Sequence, residues 1–210
     1  MKLLFISLGC DKNLVDSEVM LGMLTQKGYE ITDDEEQADA VVINTCCFIG
    51  DAKEESINTI LEMGKRRVSG QLKALIVTGC LAQRYHDEIQ KEIPEVDAIL
   101  GTTATEKIVE TLEKALEGQP ENYLEDLDKK PVGGKKRVLT TGGYYDYLKI
   151  AEGCDKHCTY CIIPKVRGNY RSVPMEQLLV EARDLAEQGV RELILVAQET
   201  TLYGRDLYGE

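Results

Sequence analysis

Three short apolar runs in the first part of the chain each end at a cysteine: KLLFISL (2–8) before Gly9-Cys10, AVVINT (40–45) before Cys46, and ALIVTG (74–79) before Cys80. Runs this apolar suit strands that are covered on both faces. Segments of helical period separate them. Asn13 to Lys27 carries Leu14, Val15, Met20, Leu21 and Leu24 and stops at Gly28; about Asp51 to Arg67 carries Ile57, Ile60, Leu61 and Met63. Another helix follows the third run, then a short strand AIL (98–100) and a closing helix from Thr105 to Leu116, stopped by Gly118. This alternation predicts an α/β unit over residues 1–117, an open and mostly parallel sheet with helices on both faces.

Residues 118–143 break the rhythm. GQPENYLEDLDKKPVGGKKR (118–137) mixes Pro, Gly and both charges without a period, and is expected to be a linker whose basic residues, 129–130 and 135–137, are solvated. A second unit, 144–210, opens with the strand YYDYLKIAEG (144–153). It continues through a cysteine loop, a helix from Met175 to Gln188 ended by Gly189, and the strand ELILVAQ (192–198). There is no internal repeat.

The N-terminal apolar run is too short for a signal peptide or a membrane span, which predicts a cytoplasmic protein. Seven cysteines in that compartment point to metal or redox chemistry, since disulfides are rare there. Asp and Glu outnumber Lys and Arg 37 to 25. A surface of that sign is a poor general binder of nucleic acid, whose phosphates need cations.

Cys154-Asp-Lys-His-Cys158-Thr-Tyr-Cys161 packs three thiols into a C-x3-C-x2-C loop directly after a strand. Iron–sulfur clusters are held by cysteine thiolates, normally four. Three leave one iron of a [4Fe–4S] cube open to a substrate. Zinc would need a fourth ligand, and His157, adjacent to Cys158, is poorly placed to share its ion. Cys10, Cys46 and Cys80 are far apart in sequence, yet each stands at the C-terminal end of an expected parallel strand, where ligands of open α/β sheets gather. Each also precedes a helix, whose N-terminal dipole favours a thiolate. Free cysteines are also common as small buried hydrophobes, and spacing alone does not separate the two readings for this set. Cys47, next to Cys46, is expected to point elsewhere and not to ligate.

The loop, with aromatic Tyr160 before its last cysteine, resembles the signature of the radical S-adenosylmethionine superfamily. SLGCDKNLVDSE (7–18), NTC (44–46) and TGCLAQRY (78–85) resemble the N-terminal domain of the methylthiotransferases within it. The similarity runs over 1–117 and 144–204. It implies that residues 144–210 are the first part of a (β/α) barrel, in a chain shorter than the family's usual length. It further implies two [4Fe–4S] clusters, one on Cys154, Cys158 and Cys161 and one on Cys10, Cys46 and Cys80. S-adenosylmethionine is the implied second cofactor, with Tyr160 against the first cluster or the adenine and no catalytic residue beyond the ligands. An electron donor such as flavodoxin or ferredoxin is implied as a partner.

Two branches of the family are closest. LGCDKNLVDSE and VAQETTLYGRDLYG (196–209) resemble the branch that methylthiolates the β-carbon of an aspartate in a small-subunit ribosomal protein, rather than the one that modifies a transfer-RNA adenosine. Cys47 stands where Gly is expected, and Glu199 where Asp is more frequent. A non-catalytic iron–sulfur module is the alternative from another class, because only two barrel strands are present. Among the remaining polar residues, Asp16, Ser17 and Glu18 could hydrogen-bond around the cluster, but are expected to be structural, answering the dipole of the helix after Cys10. Arg167 and Arg171 are expected to steer S-adenosylmethionine, to pair with carboxylates, or to lie solvated on the surface.

Overall fold

The apolar runs and the helical segments fold in strict alternation. The computed structural model describes residues 1–209. In chain order the first unit comprises β1 (Lys2–Ser7), α1 (Asp11–Gln26), β2 (Glu30–Thr32), β3 (Ala40–Thr45), α2 (Gly50–Val68), β4 (Ala74–Gly79), α3 (Cys80–Arg84), α4 (His86–Glu92) and β5 (Ala98–Leu100). A 3-10 turn at Thr105–Lys107 leads into α5 (Ile108–Leu116). The five strands form one parallel sheet ordered β2-β1-β3-β4-β5.

Side chains alternate across each strand, and both faces are covered. Val41, Ile43, Leu75 and Val77 pack with Ile60 and Met63 of α2 and with Leu81 and Ile89 beyond. Ala40, Val42, Ala74 and Ile76 pack with Met20 and Leu24 of α1 and Ile108 and Leu112 of α5. Every residue of β3 and β4 is buried, which is why their sequences show no polar alternation. The edge strand β2, sequence EIT, has no apolar run and was not expected.

The second unit contains β6 (Tyr145–Lys149), β7 (Ala151–Glu152), α6 (Ile163–Arg167), β8 (Arg171–Ser172), α7 (Met175–Glu187), β9 (Glu192–Val196) and, after a 3-10 turn, α8 (Arg205–Tyr208). β6 pairs in parallel with β9, and β7 antiparallel with β8. The strand expected over 144–153 is therefore two, with Ile150 between them donating its N–H to the Val196 carbonyl at 3.0 Å. The described residues form no closed barrel. A small core of Leu148, Ile150, Val173, Leu178, Leu185 and Val190 holds the unit, while Leu193, Ile194 and Leu195 of β9 stay exposed.

The segment expected as a solvated linker is a fitted strap. Tyr123 extends the sheet, its N–H donating to Ile99 at 3.0 Å and its carbonyl accepting from Gly101 at 2.8 Å. Further on, Val138 N–H donates to the Glu18 carbonyl at 3.2 Å. Gly22 of α1 lies so close beneath it that a Cβ there would stand 2.4 Å from the Lys136 carbonyl oxygen. Arg137, expected to be solvated, is only 5% exposed. Its guanidinium faces Glu18, Asp146 and Glu181 at 3.8, 3.2 and 3.6 Å. A buried arginine needs such carboxylates, and they come from α1, β6 and α7, which sequence spacing does not bring together. No helix among the described residues is long and apolar enough to cross a membrane.

Candidate metal centre

The strand order reverses between β1 and β3, where doubly wound sheets open a crevice at the carboxyl ends of their strands. Cys10 caps α1 after β1, Cys46 follows β3, and Cys80 is the first residue of α3 after β4. Two glycines let these turns close on one another. Gly9 has φ +99°, and a Cβ there would lie 2.8 Å from Cys46 Cβ; Gly79 has φ +92°, and a Cβ there would lie 2.4 Å from the Thr45 carbonyl oxygen.

Asn13 holds the rim together. Its Nδ2 donates to the carbonyls of Leu8 at 2.9 Å and Thr45 at 3.0 Å, and its Oδ1 lies 3.9 Å from the Cys80 sulfur. One amide thus touches the approach to Cys10, the approach to Cys46, and Cys80 itself. Ser56 Oγ pins Cys46, accepting from its N–H and donating to its carbonyl, both at 2.9 Å. Cys47 belongs to the hydrophobic core beneath, with Ile60 and Leu81, and burial pushes its thiol up to about 11. Burial also pushes the Cys80 thiol up, against the expected effect of a helix dipole; the Arg167 guanidinium beside it pulls the other way.

The second cysteine set lies on a short loop between β7 and α6. Cys154 donates its N–H to the Gly168 carbonyl at 3.0 Å, and Cys161 donates to the Cys158 carbonyl at 2.9 Å. At Gly153, φ +75°, a Cβ would lie 1.9 Å from the Asn169 carbonyl oxygen, so this turn requires glycine. His157 is the one non-glycine among the described residues with positive φ, at 44°. Cys158 is exposed, Cys154 and Cys161 are half-buried, and Tyr160 is 90% exposed. A surface depression of about 410 Å³ joins Cys158, Tyr160 and Cys161 to Phe48, just past Cys46, and Arg84, at the end of the helix that begins with Cys80. The depression is lined by Cys158 and Cys161 of the second set, and the first set borders it only through Phe48 and Arg84.

Three thiols on neighbouring strand-end turns and three on one loop suit soft iron–sulfur ligation in donor type. Among the described residues no three His, Cys, Asp or Glu side chains stand at metal-holding spacing. Cys80 nonetheless lies within electrostatic reach of both Cys46 and Cys10.

Between the two sets lies a buried charge network that the sequence did not reveal. Of the readings open for Arg167, the structure takes pairing with carboxylates, and the residue is 2% exposed. Its Nη1 donates to Asp16 at 2.7 Å and Glu152 at 3.3 Å, and its Nη2 donates to Asn13 Oδ1. Lys149 pairs with Asp16 and, at 2.7 Å, with Glu152; Lys12 approaches Glu152 at 3.5 Å and donates to the Ala151 carbonyl at 2.7 Å. Burial favours protonated Glu152, but Lys12, Lys149 and Arg167 outweigh it and hold the carboxyl well below its ordinary range. Lys12 itself is drawn down to about 8 by burial, partly offset by Glu152.

Neither Asp16 nor Glu18 answers the helix dipole, because α1 begins at Asp11 and both lie beyond its first turn. Glu18 instead accepts from Thr140 N–H at 2.7 Å, which locks the strap. Ser17 donates to the Asn13 carbonyl at 2.9 Å. Arg171 is also buried, pairing with Asp128 at 3.2 Å and donating to the Arg167 carbonyl at 2.9 Å. Glu199 pairs with Lys156 of the cysteine loop, and bonds from Lys156 and Thr201 hold its carboxyl down at about 2.

Two family models match the chain, one described as "Uncharacterized protein family UPF0004" over residues 2–101 and one as the radical SAM superfamily over residues 148–209. Among curated relatives, the "Ribosomal protein uS12 methylthiotransferase RimO" of Lachnoclostridium phytofermentans is 66% identical over 210 residues, covering 100% of this chain and 48% of that protein. The proteins of the same name from Desulforamulus reducens and Clostridioides difficile are 54% and 50% identical, covering 98% and 100% of this chain and 46% and 47% of their own lengths. The chain spans about half the length of the curated relatives it matches.

Proposed function

We propose that the chain belongs to the methylthiotransferase family of radical S-adenosylmethionine proteins, in its RimO-like branch, and that it is the cluster-bearing part of an enzyme adding a methylthio group to the β-carbon of an aspartate in ribosomal protein uS12. In this reading residues 1–117 form the auxiliary-cluster domain, 118–143 the connecting strap, and 144–210 the start of the radical domain. Cys154, Cys158 and Cys161 hold a [4Fe–4S] cluster with an open iron for S-adenosylmethionine, and Cys10, Cys46 and Cys80 hold a second. When bound, the first cluster and S-adenosylmethionine supply a carbon radical able to take hydrogen from an unactivated C–H bond, chemistry that no side chain offers.

What the chain contributes is placement. Gly9, Gly79 and Asn13 bring the strand-end thiols to one rim. Gly153 and the Cys154–Gly168 bond fix the loop, and exposed Phe48 and Tyr160 flank the depression that a substrate segment would enter. The observation that carries the reading is this depression, lined by two cysteines of one set and bordered by residues beside the other. The net charge of −12 favours a protein substrate over RNA, in the cytoplasm, with a flavodoxin- or ferredoxin-type donor.

Anaerobic reconstitution tests it. Iron and sulfide analysis should give two clusters, each lost with its own triple-alanine variant, and the reconstituted chain should release 5′-deoxyadenosine from S-adenosylmethionine. Removal of Cys10, Cys46 and Cys80 without loss of iron would overturn the two-cluster assignment. Absence of 5′-deoxyadenosine would overturn the radical one.

A further inference from the structure

α6 ends six residues after Cys161, and its last residue is Arg167. The next carbonyl, of Gly168, accepts the Cys154 N–H, so this corner holds the start of the cysteine loop. From the same corner the guanidinium reaches into the other unit. It meets Asn13, the amide that ties together the backbones before Cys10 and Cys46 and touches Cys80. Two carboxylates, Asp16 and Glu152, flank it, Lys12 and Lys149 lie within electrostatic reach, and the Asn13 oxygen it binds is 3.9 Å from the Cys80 sulfur. Three acceptors in different directions require a planar fork of N–H donors, which arginine has and lysine lacks.

We propose that Arg167 is a positioning residue that locks the Cys154–Cys161 loop onto the strand-end rim through Asn13 and sets a fixed positive charge beside Cys80. The proposal rests on the reading of both cysteine sets as cluster ligands. The potential of an iron–sulfur cluster depends on nearby charge and on hydrogen bonds to its sulfurs. A buried cation favours the reduced, more negative state, and does so more strongly in a dry interior than in water.

The test compares the full chain, anaerobically reconstituted, with Arg167→Lys and with the double variant Asp16→Asn/Arg167→Gln, which removes the cation together with one of its carboxylates. Iron content is measured first. The spacing between the two reduced clusters is then read by pulsed electron paramagnetic resonance. The potential of the N-terminal cluster is read in a background with Cys154, Cys158 and Cys161 changed to Ala. Arg167→Lys should keep both clusters and the potential but broaden the spacing distribution, since the charge stays and the fork is lost. The double variant leaves the net charge unchanged, but of the two charges removed only the guanidinium acts on Cys80, so the potential should shift to more negative values. Unchanged spacing in Arg167→Lys overturns the positioning role, and decides the matter even if the double variant fails to fold. An unchanged potential in a folded double variant overturns the charge role. Fewer than two clusters in the unsubstituted chain would instead overturn the underlying reading, and the iron count distinguishes that outcome.

Discussion

Asn13 and Arg167 stand 154 positions apart in the chain, yet the arginine's Nη2 donates to the asparagine's Oδ1 in a buried bond between the two units. The amide's own protons are spent on the Leu8 and Thr45 carbonyls. A single side chain therefore shapes the strand-end rim and receives the other unit, which makes its removal informative.

Asn13→Ala is expected to lower the stability of the apoprotein by about 3 kcal/mol, since several buried bonds are lost and their carbonyl and guanidinium partners are left unpaired. Urea unfolding measures it: the midpoint should fall with an unchanged slope. A loss under about 1 kcal/mol would show that the rim does not depend on this amide.

Arg137→Met should cost about 3–5 kcal/mol near neutral pH, because it strands buried carboxylates. The penalty should shrink in acid. Burial raises Glu18 and Glu181 above their ordinary value of 4.5, and Arg137 restrains both. A carboxylate raised in the folded state holds protons the unfolded chain has released, so its contribution to stability is full below 4.5 and is lost as pH rises through the folded value. Without Arg137 both groups rise further, and protonation at pH 5 relieves most of the repulsion. Unfolding measured from pH 5 to pH 8 should show the difference between variant and parent growing with pH, and a constant difference would contradict this account.

Cys47→Ala should leave iron content unchanged. The thiol sits in the core among Ile60 and Leu81, and its truncation should cost roughly 1 kcal/mol through the small void left behind. Loss of half the iron on this change would mean that Cys47, and not Cys46, is the ligand.

Residues 1–117 should fold when expressed alone, and residues 144–210 should not. The first unit has a five-stranded sheet covered on both faces, whereas β6 and β9 form a two-stranded sheet with Leu193, Ile194 and Leu195 exposed. Such edges pair with other chains, and so small a core is near the limit of independent stability. Limited proteolysis and hydrogen exchange on the two pieces should show protection in the first and none in the second; uniform protection in both would refute it.

What the sequence made legible was set by local rules. β3 and β4 announced themselves because every position is buried, and the C-x3-C-x2-C spacing is itself a chemical statement. β2 was invisible because three residues carry no period. Arg137 reads as solvated, and carboxylate pairing is only one of several readings for Arg167 and Arg171, because the carboxylates that bury them come from elements 9 to 151 positions away. Asn13 lay within a recognised motif, but nothing local says that its amide spans two other strand ends.

Beside the apolar contact of Val166 with the first unit's core, the units meet through paired charges: Arg167 and Lys149 with Asp16, Lys12 with Glu152, and Arg137 of the strap with Glu18 on one side and Asp146 and Glu181 on the other. Oil on oil can slip, because one apolar contact replaces another at little cost. A seam of ions cannot, since a shift of a few ångströms leaves each charge facing the wrong neighbour or none. The seam therefore acts as a weld and not a hinge. Motion at the depression is left to what lies outside the seam, the exposed Cys158–Tyr160 turn and the Phe48 corner opposite.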